Sequence, residues 1–255
     1  MDVMDYQNQV VLITGGAGGL GTELSKEFLK LGAKVYICDH NDTNLQNADQ
    51  AVKEEVNDKF EYYHQTNVDV RKLECLQAWV QDVIRKEKAI HILINAAGIC
   101  PVIKMPEITE QIWDDVVDVN LKTTFFASQA VMDNMIEGKY GRIINVSSIA
   151  AYTGGAIASP PYSAAKLGIV ALTKSLANYL SPHGITVNAV APGPFDTEMI
   201  ADYPQDVMEK IVLSTPNRRV GQTEDVVHAI LFLTERRSLH ITGATLDING
   251  GLYLR

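Results

Sequence analysis

Cysteine, basic residues and long apolar runs are all scarce in this sequence, and each shortage excludes a class of protein. The three cysteines, Cys38, Cys75 and Cys100, are widely spaced and form no Cys-x-x-Cys pair or Cys/His cluster. We therefore expect neither a disulfide framework nor a metal site. The 22 lysines and arginines are outnumbered by 31 acidic residues, which gives a net charge of −9. Because a nucleic-acid partner requires a basic face, this composition argues against one.

No stretch of the sequence predicts contact with a membrane. The apolar run at 10–13 is interrupted at once by Thr14 and Gly15, far short of the ~18 apolar residues that a spanning helix needs. The first residues, MDVMDYQNQ, are acidic and polar and lack the basic start and apolar stretch of a secretory signal. We expect a cytoplasmic protein with no membrane partner.

The pattern of apolar residues predicts an α/β fold. Short runs rich in β-branched residues recur seven times, at 10–13, 34–38, 60–64, 91–95, 142–146, 185–190 and 245–248. Stretches with helical spacing separate them, for example Leu20, Leu24, Phe28 and Leu31. Continuous apolar strands alternating with amphipathic helices are typical of a parallel sheet covered on both faces. With no linker or repeat along the chain, we predict one domain over residues 1–255: a Rossmann-like, doubly wound, seven-stranded parallel sheet.

A glycine-rich segment, TGGAGGLG at 14–21, lies between the first predicted strand and the first helix. Glycines at this position allow positive φ angles and close approach of a ligand, and the helix start directs free N–H groups at an anion. The segment indicates a pyrophosphate site, although a flexible strand-to-helix turn has the same composition.

An acidic residue ends the second predicted strand and indicates which dinucleotide is bound. Asp39 lies 24 positions after Gly15, about where a carboxylate meets the adenosine ribose hydroxyls in a dinucleotide fold. A 2′-phosphate would be repelled there, and the following residues, His40 and Asn41, supply no arginine or lysine. We expect at least a tenfold preference for NAD over NADP, unless Asp39 serves only as a loop or capping residue.

Two further features point to acid/base chemistry. Tyr162 and Lys166 are four residues apart on a helix predicted to begin at Ser159-Pro160-Pro161, so their head groups share one face. A neighbouring ammonium lowers the pKa of a tyrosine hydroxyl from near 10 toward neutrality. Upstream, Ser148 follows a predicted strand, at the edge of the sheet where ligands bind in open α/β folds. Its hydroxyl would either hold a substrate oxygen or form a turn.

Together these motifs resemble the short-chain dehydrogenase/reductase family along the whole chain. The family's TGxxxGxG loop matches Thr14, Gly15, Gly19 and Gly21, and its NNAG motif matches Asn95-Ala96-Ala97-Gly98. Its active-site asparagine matches Asn120. Its catalytic serine matches Ser148, and its YxxxK motif matches Tyr162 and Lys166. Pro192-Gly193 followed by Thr197 resembles the segment that meets the nicotinamide, and residues 242–251 resemble the closing strand.

The resemblance implies a role for each of these residues. The tyrosine gives a proton to a carbonyl oxygen or takes one from an alcohol while hydride moves to or from the nicotinamide. The serine orients that oxygen, the lysine lowers the tyrosine pKa and bonds the nicotinamide ribose, and the asparagine holds a relay water. The implied catalytic set is Asn120, Ser148, Tyr162 and Lys166. The implied cofactor set is Gly15, Gly18, Gly19, Leu20, Gly21, Asp39, Asn67, Val68, Asn95, Ala96, Gly98, Tyr162, Lys166, Pro192, Gly193, Phe195 and Thr197.

Three positions depart from the family pattern. Ala96 replaces the second asparagine of NNAG, and Asn67 stands where an acidic residue often touches adenine. The interval from Ser148 to Tyr162 is one residue longer than the commonest spacing. If that insertion shifts the register, Ser147 is the catalytic serine instead.

Substrate choice is expected in three stretches, 100–105, 149–159 and a lid at 195–219. Their side chains are mostly apolar, which favours a neutral secondary alcohol or ketone, while Lys104, Arg218 and Arg219 either meet an anionic group or are solvated. A 3-oxoacyl-[acyl-carrier-protein] reductase is the alternative, although Asp39 disfavours the NADPH that such enzymes usually take. A non-catalytic NAD(H)-sensing protein is a further alternative. The apolar helices at 118–135 and 160–180 indicate burial either between subunits or against the sheet. The family resemblance implies that they form subunit interfaces, and we expect a homotetramer.

Overall fold

The structure is a computed structural model that describes residues 6–155, 158–196 and 205–254. Its seven strands are β1 (Val10–Thr14), β2 (Lys34–Asp39), β3 (Tyr63–Asn67), β4 (Ile92–Asn95), β5 (Gly141–Val146), β6 (Ile185–Pro192) and β7 (Thr245–Ile248). They form one parallel sheet in the order β3-β2-β1-β4-β5-β6-β7. The predicted doubly wound α/β fold is confirmed. The order reverses between β1 and β4, which is where ligands bind in folds of this kind.

Helices cover both faces of the sheet. They are α1 (Gly19–Lys30), α2 (Asp42–Glu55), α3 (Leu73–Glu87), α4 (Glu110–Val117), α5 (Thr123–Gly138), α6 (Ala150–Thr153), α7 (Pro160–Leu180), α8 (Gln205–Ser214) and α9 (Thr223–Thr234). None of the helices in the described residues combines the length and apolar character needed to cross a membrane.

Successive residues of the central strand belong to two different cores. Val11 and Ile13 of β1 pack into a buried apolar cluster with α1, α2 and α9, whereas Val10 and Leu12 pack into a second cluster with α3, α5 and α7. Because alternate residues of a strand point to opposite faces, a strand buried on both faces must be apolar throughout. This is the pattern that the sequence shows.

The third strand begins three residues later than the apolar run at 60–64 predicts. Residues Asn57–Tyr62 form a 3₁₀ helix, and β3 starts at Tyr63. Only Tyr63 is buried in this strand, because β3 lies at the edge of the sheet and its later residues face solvent. Apolar periodicity is therefore a poor guide to its position.

Candidate active site

A cleft of about 1080 Å³ runs along the carboxyl edge of the sheet. Most of the site residues named from the sequence border it: Gly15, Gly18, Gly19, Leu20, Gly21, Asp39, Val68, Ala96, Gly98, Ser148, Tyr162, Lys166, Pro192, Gly193 and Phe195. Asn67, Asn95 and Asn120 lie outside its lining, and Thr197 lies outside the described residues. The structure thus brings the glycine loop and the Tyr162–Lys166 pair into one cleft.

The glycine loop is shaped by close contacts as well as by conformation. Gly15 has φ +64°, and a Cβ on it would lie 2.6 Å from Cα of Ala97 in the loop after β4. A Cβ on Gly21 would lie 2.5 Å from Cα of Gly16. A Cβ on Gly18 would meet only the main-chain oxygen of Gly15, at an ordinary contact distance of 3.6 Å. Gly18 occupies the N-cap position of α1, where it offers no side-chain oxygen to the first-turn N–H groups. Those groups are available to an anion.

Asp39 borders the cleft at the end of β2. One oxygen of its largely buried carboxylate accepts a 3.1 Å hydrogen bond from the main-chain N–H of Asn41, and Nδ1 of His40 lies 3.4 Å from the same oxygen. Asn67 pairs with Asp39 in the sheet but is exposed, and its amide donates to Asp42 instead of facing the cleft.

Two charged residues after β3 border the cleft and were missed in the sequence. The guanidinium of Arg71 donates two 2.9 Å hydrogen bonds to the carboxylate of Asp69, which lower the pKa of that carboxyl. Arg71 also lies 3.6 Å from Asp115 of α4. Two acidic partners thus surround this cation. The one signal in the sequence that pointed to Arg71 is its spacing of two residues from Asp69, which permits an ion pair.

Asn95 has a different environment from the one expected for a cofactor ligand. Its side chain is buried and donates to Oγ of Ser128 at 3.1 Å and to Oδ1 of Asn145 at 2.9 Å. These bonds join the ends of β4 and β5 to α5. The neighbouring residues Ala96, Ala97 and Gly98 form the cleft border here.

Tyr162 and Lys166 lie at the beginning of α7. Ser159 occupies the N-cap position but makes no capping bond from its side chain, and Pro161, the second helical residue, has no N–H to donate to it. Nζ of Lys166 lies 5.4 Å from the ring centroid of Tyr162. The two head groups therefore share a site, as their spacing predicts.

Lys166 is a buried cation with one backbone acceptor. Only 4% of it is exposed, and its Nζ donates a 2.7 Å hydrogen bond to the main-chain oxygen of Val146 at the end of β5. Burial lowers the pKa of Lys166 to about 8, and the nearby Cys100 thiol opposes this effect. An ammonium in this position favours the anionic form of a neighbouring phenol.

Asn120 lies behind the cleft in a π-helical turn, Asp118–Lys122, that joins α4 to α5. Its buried Nδ2 donates to the main-chain oxygens of Ile99 and Val116, both at 2.9 Å. Among the described residues, its Oδ1 has no hydrogen-bond partner. A Cβ on Gly98 would lie 2.7 Å from this oxygen and 3.4 Å from Nζ of Lys166. A polar ligand or water reaching Gly98 would therefore meet both groups.

The two adjacent serines at the end of β5 differ in what their hydroxyls do. Ser147 is buried, and its Oγ donates a 2.8 Å hydrogen bond to the main-chain oxygen of Lys166. Ser148 is half-buried, borders the cleft, and its Oγ accepts a 3.1 Å hydrogen bond from the N–H of Ala150. The proton of the Ser148 hydroxyl can thus point at a ligand while that of Ser147 is used within the protein.

The end of the cleft beyond Tyr162 is mainly apolar. It is bordered by Cys100, Ile149, Ala150, Thr153, Gly155, Ala158, Val207, Lys210, Ile211, Ser214 and Leu252. Lys104, Arg218 and Arg219 are absent from the border, and Arg219 pairs with Asp225 through two hydrogen bonds. Lys210 falls within the predicted stretch 195–219 but was not singled out there, and sequence reasoning missed Leu252. In the part of the chain described, no group of three or more His, Cys, Asp or Glu residues is placed to hold a metal ion.

Comparison with known proteins agrees with this geometry. Residues 9–207 match the family model of short chain dehydrogenases, and the chain belongs to that family of oxidoreductases. It is 36% identical to the (2S)-[(R)-hydroxy(phenyl)methyl]succinyl-CoA dehydrogenase subunit BbsD of Thauera aromatica, covering 97% of this chain and 98% of the relative. It is 34% identical to the 3-oxoacyl-[acyl-carrier-protein] reductase FabG of Rickettsia conorii, covering 99% and 100%.

A solved structure is similar over nearly the whole chain. The 3-oxoacyl-[acyl-carrier protein] reductase of Brucella melitensis superposes with a TM-score of 0.89 at 33% identity, covering 98% of this chain and 93% of that one. The family resemblance stated from the motifs is thereby confirmed.

Proposed function

We propose that this protein is an NAD-dependent dehydrogenase that transfers a hydride between the nicotinamide and a secondary alcohol or ketone. The observation that carries the proposal is the placement of Ser148, Tyr162 and Lys166 along one cleft with the glycine loop. The loop is a phosphate-binding structure, and the three side chains supply a proton donor or acceptor and its support.

The residues present fit a nicotinamide dinucleotide. The open N-terminus of α1 at Gly18 suits the pyrophosphate, and the carboxylate of Asp39 suits ribose hydroxyls. Beyond Gly98, the buried ammonium of Lys166 and the unpartnered oxygen of Asn120 suit a hydroxyl or a bridging water. When bound, the nicotinamide supplies or accepts the hydride.

The protein's own part is to hold the substrate oxygen and move one proton. The Ser148 hydroxyl donates a hydrogen bond to that oxygen and keeps its proton. In reduction Tyr162 gives it a proton, and in oxidation the Tyr162 phenolate takes one. Lys166 stabilises the phenolate by its positive charge, and a water on Oδ1 of Asn120 connects Lys166 to solvent for reprotonation.

Asp39 supports NAD rather than NADP. A 2′-phosphate near its carboxylate would meet like charge, and no arginine or lysine follows at positions 40 or 41. Arg71 is the nearest candidate cation in the chain after β3, but Asp69 holds its guanidinium through two hydrogen bonds. Arg71 is therefore a poor phosphate ligand.

A 3-oxoacyl or 3-hydroxyacyl thioester is a second candidate substrate. Lys210 of α8 borders the apolar part of the cleft and could bind a phosphate of a carrier group. Its ion pair with Asp206, at 3.1 Å, lies on a solvent-exposed surface. Because such ion pairs are weak, Lys210 remains available to a ligand. The names of the relatives from Thauera aromatica and Rickettsia conorii include such thioesters.

The test is the rate of NADH oxidation with simple ketones, diketones, sugar ketones and 3-oxoacyl thioesters. Turnover that Tyr162→Phe abolishes supports a dehydrogenase, and the preferred member identifies the substrate class. Saturable NADH binding without turnover of any member would favour a sensing protein instead.

We further propose that the chain forms a homotetramer through α5 and α7. Leu167 and Tyr179 of α7 are 50% and 61% exposed, and burial between subunits would remove these apolar surfaces from water. Light scattering should give four times the mass of one chain, 28.0 kDa. A monomeric mass would refute this assembly.

A further inference from the structure

The C-terminal turn, residues 249–254, packs between α6, which borders the apolar part of the cleft, and the segment that follows α8. Leu252 lies on the cleft border itself. The ring of Tyr253 stacks on that of Tyr152 in α6, with centroids 5.3 Å apart and planes within 4° of parallel. The sequence analysis placed substrate selection elsewhere, in 100–105, 149–159 and 195–219.

The turn is held by its own hydrogen bonds, which centre on Asn249. Oδ1 of Asn249 accepts from the N–H of Gly251 at 3.0 Å, its main-chain oxygen accepts from the N–H of Leu252 at 3.0 Å, and its Nδ2 donates to the main-chain oxygen of Tyr253 at 3.1 Å. Leu252 and Tyr253 are thus fixed relative to the end of β7.

The other side of the turn contacts the segment that follows α8. Gly250 and Gly251 have φ angles of +61° and +84°, and a Cβ on Gly250 would lie 2.6 Å from the side-chain amide of Asn217. A Cβ on Gly251 would lie 3.0 Å from Cγ of Pro216. The positive φ angles and these close approaches together favour glycine at both positions, and the turn lies close against this segment.

We propose that this turn determines substrate specificity, with Leu252 limiting the size of the group beside the reacting carbon and Tyr253 positioning α6. This inference rests on the proposed alcohol or ketone substrate. Leu252 borders the cleft and lies in the chain between Gly251, which is close to Pro216, and Tyr253, which stacks on α6. Thr153 of α6 and Ile149 just before it also border the cleft.

The stacked rings connect the turn to Ser148. The first N–H of α6, that of Ala150, donates to Oγ of Ser148 at 3.1 Å, and the N–H of Ala151 donates to its main-chain oxygen at 3.1 Å. Tyr152 follows in the same short helix. Because a helix of four residues has little stability of its own, its position depends on its neighbours: Ala150 is buried beside Tyr162, and Tyr152 stacks on Tyr253.

Leu252 is tested with Leu252→Ala and Leu252→Phe, using a series of ketones of increasing size beside the carbonyl. Leu252→Ala should raise kcat/KM for the largest ketone relative to the smallest at least fivefold, and Leu252→Phe should lower that ratio at least fivefold. Leu254→Ala is the matched control, because Leu254 belongs to the same turn and is 81% exposed. The NADH dissociation constant and Tm of each variant show that the cofactor site and fold are intact.

Tyr253 is tested as a positioning residue with Tyr253→Ala and Tyr253→Phe. The alanine variant should raise the KM for ketone and lower kcat at least fivefold without changing NADH affinity, whereas the phenylalanine variant keeps a stacking ring and should behave as wild type. Tyr152→Ala combined with Tyr253→Ala should cost no more than the larger single effect if both act through the stack.

The outcomes separate the two proposals. A wild type that turns over the ketones, with a size preference that neither Leu252 variant moves, refutes the role of Leu252 alone. Equal losses in Tyr253→Ala and Tyr253→Phe, or additive losses in the double variant, refute positioning through the stack. A folded wild type that binds NADH but reduces none of the substrate classes refutes the proposed function and this inference with it.

Discussion

The side chain of Ser147 donates a 2.8 Å hydrogen bond to the main-chain oxygen of Lys166, and so the serine at the end of β5 is tied to the helix that carries the acid/base pair. Ser148, one residue later, borders the cleft. Ser147 and Ser148 thus have different surroundings, and alanine variants of the two can show which of them is catalytic.

We expect Ser148→Ala to lower kcat by about 10²-fold, as loss of one donor to a reacting oxygen does in other enzymes. Ser147→Ala should instead lower the free energy of unfolding by about 1 kcal/mol, because it removes a buried hydrogen bond between β5 and α7. Steady-state kinetics and urea unfolding of both variants measure these effects. A larger loss of kcat in Ser147→Ala would make Ser147 the catalytic serine.

Tyr162→Phe should lower kcat by about 10²- to 10⁴-fold, because it removes the group that exchanges a proton with the substrate oxygen. NADH affinity, measured by fluorescence titration, should change little. Tyr179→Phe is the matched control, since Tyr179 lies on the same helix and is mostly exposed. Full activity in Tyr162→Phe would exclude the proposed mechanism.

The buried ammonium of Lys166 should make stability depend on pH in a defined direction. Its pKa falls from the usual 10.5 to about 8 in the folded protein. Below pH 8 both folded and unfolded chains carry the proton; between 8 and 10.5 only the unfolded chain does, so wild-type stability rises with pH in this window. The rise should be about 3 kcal/mol at 1.36 kcal/mol per pKa unit.

Lys166→Met removes this titration. The difference in unfolding free energy between wild type and Lys166→Met, measured in urea from pH 7 to 10, should move by about 2.7 kcal/mol in favour of wild type, at 1.36 kcal/mol for each pH unit above 8. Lys174→Met, at an exposed position of the same helix, should show no such movement. A difference that stays constant with pH would show that Lys166 titrates alike in both states.

Asp39→Ser with His40→Arg should reverse the cofactor preference. The wild type is expected to favour NAD at least tenfold in kcat/KM, because the Asp39 carboxylate repels a 2′-phosphate, and the double variant replaces that charge with a guanidinium. Asp58→Ser removes the same charge at an exposed position outside the cleft and should leave the preference unchanged. Equal kcat/KM for NAD and NADP in the wild type would contradict the role given to Asp39.

Gly15→Ala and Gly18→Ala should fail in different ways. Alanine at 15 is forced into a positive φ angle and against Ala97, so the variant should lose about 1–3 kcal/mol of stability. Alanine at 18 has space, so the fold should persist while NADH affinity falls, because the methyl group lies where phosphate must approach the N–H groups. Gly138→Ala, with nothing within 4 Å of its Cβ, is the control for both measurements.

The strands in the middle of the sheet could be predicted from the sequence, because burial on both faces requires a continuous apolar run such as the one at Val10. The edge strand β3 could not be placed as well, since only its first residue, Tyr63, is buried and the apolar residues before it form a 3₁₀ helix. Because the residues of β3 that face solvent need not be apolar, the pattern of apolar residues does not show where this strand lies.

The site could be predicted where backbone geometry restricts the residue type, as at Gly15, or where two groups must share a helix face, as with Tyr162 and Lys166. The environment of Asn95 was not predictable, because its bonds reach Ser128 and Asn145 through the folded sheet. Leu252 could not be predicted as a cleft residue for the same reason, because the pairing of β7 with β6 in the folded sheet brings it to the cleft.

The cleft collects residues from Gly15 near one end of the chain to Leu252 near the other, and from strands on both sides of the reversal in strand order. A ligand that fills it therefore binds only the completely assembled sheet. Its binding energy opposes the opening of either half as much as it opposes global unfolding, so saturation with cofactor should slow proteolysis that depends on such opening throughout the molecule. The resistance of the protein to proteolysis should therefore rise with the fraction of cleft that is occupied by cofactor.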